Sequence, residues 1–124
     1  MLVEDYFAQL ESIISSYGII RSKTIHKDKR SDYIGYFKAD LYFQNGSSLH
    51  VREFVFTRSE IVKDTYAYHY QDADDQLIFR YDNTRHYPDL SNFPHHKHIS
   101  ENVVPAADLD LRAVLDEIRF NHAS

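Results

Sequence analysis

The sequence predicts an α+β fold, with a helix at each end of the chain and an antiparallel meander of about five strands between them. Apolar residues recur with helical spacing near both termini, whereas the middle of the chain has strand-type residues separated by turn signals. The ten Tyr and eight Phe also favour strands. We expect a single domain over residues 1–124, because a chain of that length buries roughly two-thirds of its unfolded surface.

Amphipathic helices are predicted at both ends. The first is expected over Leu2–Tyr17, with Gly18 ending it in a left-handed conformation. The second is expected from Leu109 to Asn121, with Asp108 as its N-terminal cap. Their apolar stripes comprise Tyr6, Leu10, Ile13, Ile14 and Tyr17 in the first helix, and Leu111, Val114, Leu115 and Ile118 in the second.

Three strands are expected after the first helix. They cover Ile19–Lys27, Tyr33–Gln44 and Ser48–Phe56, with a charged turn over Lys27–Ser31. Asn45-Gly46 predicts a tight hairpin between the second and third strands, since both central residues of such a turn need positive φ. A two-residue turn would place Lys38 opposite Glu53, Ala39 opposite Arg52 and Leu41 opposite His50.

A second hairpin is predicted from Ile61–Asp72 and Gln76–Asp82, turning at Asp74-Asp75. A two-residue loop there pairs Tyr68 with Tyr81 and Tyr70 with Phe79. One face would then be aromatic, formed by Tyr66, Tyr68, Tyr70, Leu77, Phe79 and Tyr81. The polar face would contain Ala67, His69, Gln71, Ile78, Arg80 and Asp82.

Residues 83–97 are expected to form a long loop rich in His and Pro. Four of the eight histidines lie between residues 81 and 98, namely His86, His95, His96 and His98. Histidine titrates near neutral pH and also binds metals, so this segment is the best functional clue in the chain. Long loops in compact domains are often functional, although an extended crossing segment is the alternative. His26, His50 and His122 stand alone and are expected to be structural or exposed.

Composition excludes several classes of protein. The chain has no Cys, which removes disulfide scaffolds and thiolate chemistry, and it has too few glycines for a phosphate-binding loop. The acidic N-terminus is unlike a signal peptide, and no apolar run is long enough to cross a membrane. We therefore expect a cytoplasmic protein with no membrane contact. A net charge of −5 argues against a broad basic surface for nucleic acid.

Two kinds of chemistry suit the histidines. Phosphodiester cleavage needs a base, an acid and a cation. His86, His95, His96 and His98 would transfer protons, Arg80 would bind phosphate, Asp82 would orient a histidine and Glu53 would act as a base or orienter. Alternatively, His96 and His98 point to one side of an extended segment and His95 to the other, so the pair with His86 or Asp82 could ligate zinc or another divalent metal. No cofactor is expected in the first case.

Several further side chains are candidates for substrate binding. The Tyr66–Tyr70 run has the alternation of a base-stacking platform, although such a stripe more often packs under a helix. Ion pairing of Arg80 with Asp82, and of Glu53 with Lys38, is an equally simple structural explanation. The candidates for substrate binding are Tyr68, His69, Tyr70, Arg85 and Lys97.

Three segments in order carry a family resemblance: residues 66–74 (YAYHYQDAD), 79–83 (FRYDN) and 93–98 (FPHHKH). In these segments the chain resembles the TumE family, the toxins of bacterial type II toxin–antitoxin modules. The resemblance is strongest over residues 66–98 and extends weakly across most of the chain. It implies a protein antitoxin, encoded nearby, as the partner.

Two neighbouring positions depart from the family pattern, Arg85 in place of the proline and Tyr87 in place of the second histidine. After Asp-Asn, the family pattern has a small residue, a proline and two histidines, whereas this chain has Thr84, Arg85, His86 and Tyr87. Tyr87 replaces the second histidine, so either this copy is weakened or Arg85 adds a cation near the phosphate. The sequence predicts a TumE-like toxin that acts on RNA by metal-independent acid–base chemistry. The alternatives are a non-catalytic domain whose His-rich loop binds a partner or small ligand, and a metal-dependent hydrolase.

Overall fold

Two helices and a seven-stranded antiparallel sheet form the fold in the computed structural model, which describes residues 1–85 and 88–123. The strands lie side by side in sequence order. The elements are α1 (Val3–Ser15), β1 (Ile20–Ser31), β2 (Ile34–Phe43), β3 (Ser48–Phe56), β4 (Val62–Gln71), β5 (Leu77–Asp82), β6 (His96–Ile99), β7 (Asn102–Pro105) and α2 (Leu111–Ala123). The α+β class is therefore confirmed, and the strand count of about five is too low.

The two additional strands, β6 and β7, follow β5 along the chain. The predicted loop over residues 83–97 is not confirmed as a whole, because β6 begins at His96 and residues 86 and 87 lie outside the described part. β6 lacks the alternation of apolar and polar residues that marks a strand in a sequence. Its position is instead set by pairing, with His96 opposite Asp82 and His98 opposite Arg80.

The register of the β2–β3 hairpin differs from the prediction by one residue. Phe43 N–H donates to Ser47 O at 2.9 Å, so the loop contains three residues, and its last residue, Gly46, has φ +88°. A three-residue loop with a left-handed glycine is a common alternative to the two-residue turn. Lys38 therefore lies opposite Arg52, and Glu53 lies opposite Phe37.

The register of the β4–β5 hairpin is confirmed: Tyr68 pairs with Tyr81, and Tyr70 with Phe79. The turn nevertheless has three residues, because Asp72 N–H donates to Gln76 O at 2.9 Å, and Asp75 adopts φ 62°. An irregularity between Tyr70 and Gln71 shifts the register back by one residue. The two departures from the predicted turn therefore cancel.

Three boundaries also differ from the prediction. The charged segment Lys27–Ser31 belongs to β1, and α1 stops before Gly18, with Ser16 in a right-handed conformation at its end. α2 is capped by Asp110, whose Oδ1 accepts the N–H of Ala113 at 3.0 Å. Asp108, the predicted cap, instead pairs with Lys63 at 3.2 Å.

Both helices pack on one face of the sheet, where the predicted aromatic face of β4 and β5 is buried. The apolar core includes Phe7, Phe37, Leu41, Val51, Tyr68, Phe79, Leu111 and Ile118. In the described part of the chain no helix covers the opposite face, which we call the open face. Neither helix has the length and apolar character needed to span a bilayer.

One carboxylate lies inside this core. Glu53 is 1% exposed and accepts hydrogen bonds from the hydroxyls of Tyr6 and Tyr68, the latter at 2.6 Å. Burial raises the pKa of Glu53, and this effect outweighs the opposing effects of the two tyrosine hydroxyls and of Lys63. The hydroxyl groups of α1 and β4 therefore replace the water that Glu53 loses on folding.

We expect Tyr68→Phe to lower the free energy of unfolding by about 1–3 kcal/mol, because it leaves a buried carboxylate oxygen without its donor. Denaturant titration followed by circular dichroism measures this difference. The matched control is Tyr42→Phe, since Tyr42 is 38% exposed and its change should cost less than about 0.5 kcal/mol. Equal stabilities of the two variants would contradict a role for Tyr68 in holding Glu53.

Candidate functional site

The open face collects five of the chain's eight histidines, counting only residues that the structure describes. The side chains on this face alternate with those of the core, and strand pairing places His26, His50, His69, His96 and His98 there. Across β2–β6, five polar side chains oppose one another in register. This set, which we call the polar row, comprises Asp40, His50, His69, Arg80 and His98.

Hydrogen bonds link neighbours within the polar row. Asp40 Oδ1 lies 2.7 Å from His50 Nδ1 and 3.2 Å from a nitrogen of Arg52. Arg80 Nη1 lies 3.3 Å from His69 Nδ1. Because a guanidinium can only donate, Nδ1 of His69 accepts this bond and carries a lone pair. Burial, and then the charge of Arg80, lower the pKa of His69, so this imidazole is neutral at pH 7.

Asp82 connects the polar row to the start of β6. Its Oδ2 lies 2.9 Å from Arg80 Nε and 3.1 Å from His98 Nε2, while Oδ1 lies 2.6 Å from His96 Nε2. Thr84 donates its backbone N–H to Oδ1 at 3.1 Å. Burial by itself would raise the pKa of Asp82, but the bonds from Thr84 and Arg80 and the charge of His96 lower it. Asp82 is therefore an ionised carboxylate with cationic or N–H donors on both oxygens.

The two histidines of β6 differ in accessibility. His96 is 1% exposed, and its Nδ1 lies 2.9 Å from the carbonyl oxygen of Pro94. The ring thus lies between a carbonyl and a carboxylate, and it fixes the end of the 83–95 segment to Asp82. The His98 side chain is 24% exposed. His98 is therefore the histidine of this pair that a ligand can reach.

Asp82, His96 and His98 could also hold a metal ion. One ligand atom from each residue lies within 4.8 Å of the others, and Asp and His are both zinc ligands. In metal sites, the nitrogen of a bound imidazole that does not touch the metal usually donates to a carbonyl or a carboxylate. The Pro94 carbonyl lies beside Nδ1 of His96 in the same way. Arg80 argues against a metal at this place, because its positively charged guanidinium already lies 2.9 Å from the same carboxylate.

Several predicted site residues lie on the helix-covered face instead. Glu53, Tyr68 and Tyr70 are buried there, so Glu53 does not join the histidines of the open face as expected. His95 points away from His96 and His98, as predicted, and its Nδ1 lies 2.8 Å from the Tyr66 hydroxyl. Lys97 Nζ pairs with Glu117 of α2 at 3.0 Å.

The remaining predicted residues lie near or within the 83–95 segment. Arg85 is exposed, and its guanidinium lies 5.8 Å from the ring centre of Phe93. Arg85, Lys63 and His95 line a cleft of about 700 Å³ between α1 and the start of α2. His86 and Tyr87 lie outside the described residues, so the replacement of the second family histidine by Tyr87 falls there.

Sequence reasoning missed Asp40 and His50 as neighbours of the site. The signal was present, because a three-residue β2–β3 loop places Asp40 opposite His50. The assumed two-residue loop pairs Leu41 with His50, which made His50 look isolated. The error in this one turn therefore concealed two positions of the polar row.

A protein-family model described as "Toxin TumE" matches residues 9–121 of the 124-residue chain. No curated protein and no solved structure shows a significant match. The match therefore covers most of the core, the polar row, Asp82 and both histidines of β6.

We expect Asp82→Asn to lower the free energy of unfolding by about 3 kcal/mol, because it removes the charge that balances buried His96 and neighbouring Arg80. Urea titration of both proteins measures the difference. Asp89→Asn is the matched control, since Asp89 is exposed and its change should cost less than about 0.5 kcal/mol. A stability change at Asp82 as small as the control would show that this carboxylate does not hold β5 and β6 together.

Proposed function

The chain belongs to the TumE toxin family, and from that membership we propose that it is the toxin component of a toxin–antitoxin module and that it cleaves RNA. The observation that supports RNA cleavage is the position of Arg80 between two histidines of the polar row, His69 on β4 and His98 on β6. Strand spacing puts the backbones of these histidines about 10 Å apart, with a guanidinium between them. A base, a cation and an acid in that order are the groups needed to cleave a phosphodiester bond.

The toxin role implies a protein antitoxin as the partner. Toxin families of this kind act on the cell that makes them, so an inhibitor must be present until the toxin is needed. We propose that the antitoxin binds this chain directly and is encoded nearby. The sequence of the chain does not identify it, and co-expression with the neighbouring gene is the direct assay.

Arg80 is the phosphate-binding group in this proposal. Its Nε is fixed by Asp82 at 2.9 Å and its Nη1 lies near His69, which leaves the Nη2 hydrogens for a phosphate oxygen. A fixed guanidinium stabilises the negative charge that grows on phosphate during the reaction. When phosphate oxygens take over the Nη1 hydrogen, Nδ1 of His69 is released to act as a base.

Proton transfer then involves the two histidines. The RNA 2′-hydroxyl gives its proton to His69 and attacks the adjacent phosphorus, while the bond from phosphorus to the 5′ oxygen breaks. His98, in its imidazolium form, gives that oxygen its Nδ1 proton, while its Nε2–H stays bonded to Asp82. The products are a 2′,3′-cyclic phosphate and a 5′-hydroxyl end, and exchange with water restores both rings. Asp82 orients His98, and buried His96 positions Asp82.

We expect His98→Gln to reduce RNA cleavage by about a hundredfold or more, because it removes the general acid. Induced expression of the variant should also no longer arrest bacterial growth, whereas wild-type arrest is relieved by the antitoxin. Denaturing gels of cellular RNA and of a labelled oligonucleotide measure cleavage, and circular dichroism checks folding.

His95→Gln tests the choice of face, since His95 lies on the helix-covered side. Loss of cleavage in this variant, with full activity in His98→Gln, would contradict the proposal. Growth arrest by the wild type with intact RNA would favour the non-catalytic binding alternative. Harmless wild-type expression would contradict the toxin role.

We also expect cleavage by tag-free protein to be unchanged in EDTA, because protein groups supply the acid, the base and the cation. Elemental analysis of the same sample provides a second measurement. Loss of cleavage in EDTA that zinc restores would contradict this expectation and support a metal-dependent hydrolase, for which Asp82, His96 and His98 are the candidate ligands.

A further inference from the structure

We propose that single-stranded RNA binds along the open face, in a strip that runs from an aromatic groove over β1–β3 to Arg80 on β5. This inference rests on the proposed function and adds the binding surface and the strandedness of the substrate. The residues that form the strip, besides Arg80, are His26, Arg30, Tyr36, Lys38, Arg52 and Phe54.

The charge of the open face differs from that of the chain as a whole. The strands of the open face present four permanent cations, Arg30, Lys38, Arg52 and Arg80, against the three carboxylates Asp28, Asp40 and Asp82. The whole chain has a net charge of −5. The strands of the open face therefore carry one net positive charge in a protein that is acidic overall, and three of the four cations lie beside one of these carboxylates. A polyanion is the complementary ligand for such a face.

Aromatic rings lie among these cations. Tyr36 and Phe54 have ring centres 6.2 Å apart, and Phe54 and Phe56 have centres 5.4 Å apart. Lys38 Nζ lies 5.2 Å from the Tyr36 ring centre, and the Arg30 guanidinium lies 5.9 Å from that of Phe54. Half-buried rings beside basic side chains are the elements with which proteins stack unpaired bases and hold the attached phosphates.

The aromatic cluster borders a groove. A depression of about 250 Å³ is lined by His26, Asp28, Arg30, Tyr36 and Lys38. Tyr36 and Lys38 lie on β2, three strands from Arg80, and are offset along β2 from Asp40, the residue in register with Arg80. At the usual strand spacings, Tyr36 is about 19 Å from Arg80 and Lys38 is about 16 Å from it. Arg52 on β3 lies opposite Lys38, on the way from β2 to Arg80. A few nucleotides of extended strand crossing the sheet would place one base in the groove and a downstream phosphate at Arg80.

The geometry favours single strands over duplex. Stacking on Tyr36 or Phe54 requires an exposed base face, which base-paired RNA does not offer along its length. The deep, narrow major groove of A-form RNA also excludes the side chains of a flat sheet. A substrate recognised by this strip is therefore an unpaired segment of RNA, with weak sequence preference.

The test uses His98→Gln as the background, so that RNA stays intact while binding is measured. Fluorescence anisotropy with a labelled, unstructured RNA oligonucleotide gives the dissociation constant over a series of salt concentrations. Tyr36→Leu removes the ring and keeps an apolar side chain, and we expect binding about tenfold weaker with an unchanged salt dependence. Lys38→Ala should lower the slope of log affinity against log salt by about 0.7, the value for one phosphate contact on a single strand.

Two controls lie away from the strip. Phe120→Leu removes an aromatic ring that is 75% exposed on α2, and Lys23→Ala removes a lysine that contacts α1 through Ser15 at 3.2 Å. Phe120→Leu should change neither the RNA affinity nor its salt dependence. Lys23→Ala should change them only by the small effect of losing one distant charge. A duplex of the same sequence should bind more weakly than the single strand.

Failures of the two proposals are distinguishable. If Tyr36→Leu and Lys38→Ala bind single-stranded RNA as tightly as their parent, the strip is wrong, while cleavage that depends on His98 leaves the proposed function intact. Tighter binding of duplex would likewise overturn the strip. If the parent binds no RNA and the wild type cleaves none, both proposals fail.

Discussion

Backbone register in the β2–β3 hairpin is the constraint on which the rest of the structure depends. Side chains alternate across a sheet, so a slip of one residue would exchange the two faces of a strand. The left-handed Gly46 closes a three-residue loop and fixes Glu53 toward the helices and His50 toward the open face. The buried carboxylate and the polar row are thus consequences of the same turn, one on each side of the sheet.

The predictable parts of the fold are those with a local signal. Alternating aromatics identified the buried face of β4 and β5, and helical spacing identified α1 and α2. β6 has no such signal, because His96 and His98 are held by Asp82, whose position depends on pairing between distant segments. Glu53 is satisfied by Tyr6, which is 47 residues away, so its charge suggested function where packing gives it a structural role. The cluster of histidines was predictable, and so were the opposite directions of His95 and the His96–His98 pair. The place of His50 in the polar row was not, because it depends on the three-residue β2–β3 loop.

The arrangement around Asp82 combines stability with access. Buried His96 and half-buried Arg80 occupy opposite oxygens of the carboxylate, so the geometry of the pair is fixed before any ligand arrives. His98 contacts the same carboxylate oxygen as Arg80, and its side chain is more exposed than that of His96. Preorganised groups of this kind act without reorganising during a reaction. Ion pairs fully exposed to water would have neither the rigidity nor the strength.

The sheet follows the order β1 to β7 without closing, so it has an edge at each end. Exposed edges invite pairing between molecules, which leads to aggregation when a protein is concentrated. The edge strand β1 is twelve residues long but contains three lysines, Lys23, Lys27 and Lys29. The other edge strand, β7, has only four residues and ends at Pro105, which has no N–H to donate. Both edge strands therefore have features that disfavour edge-to-edge pairing between molecules.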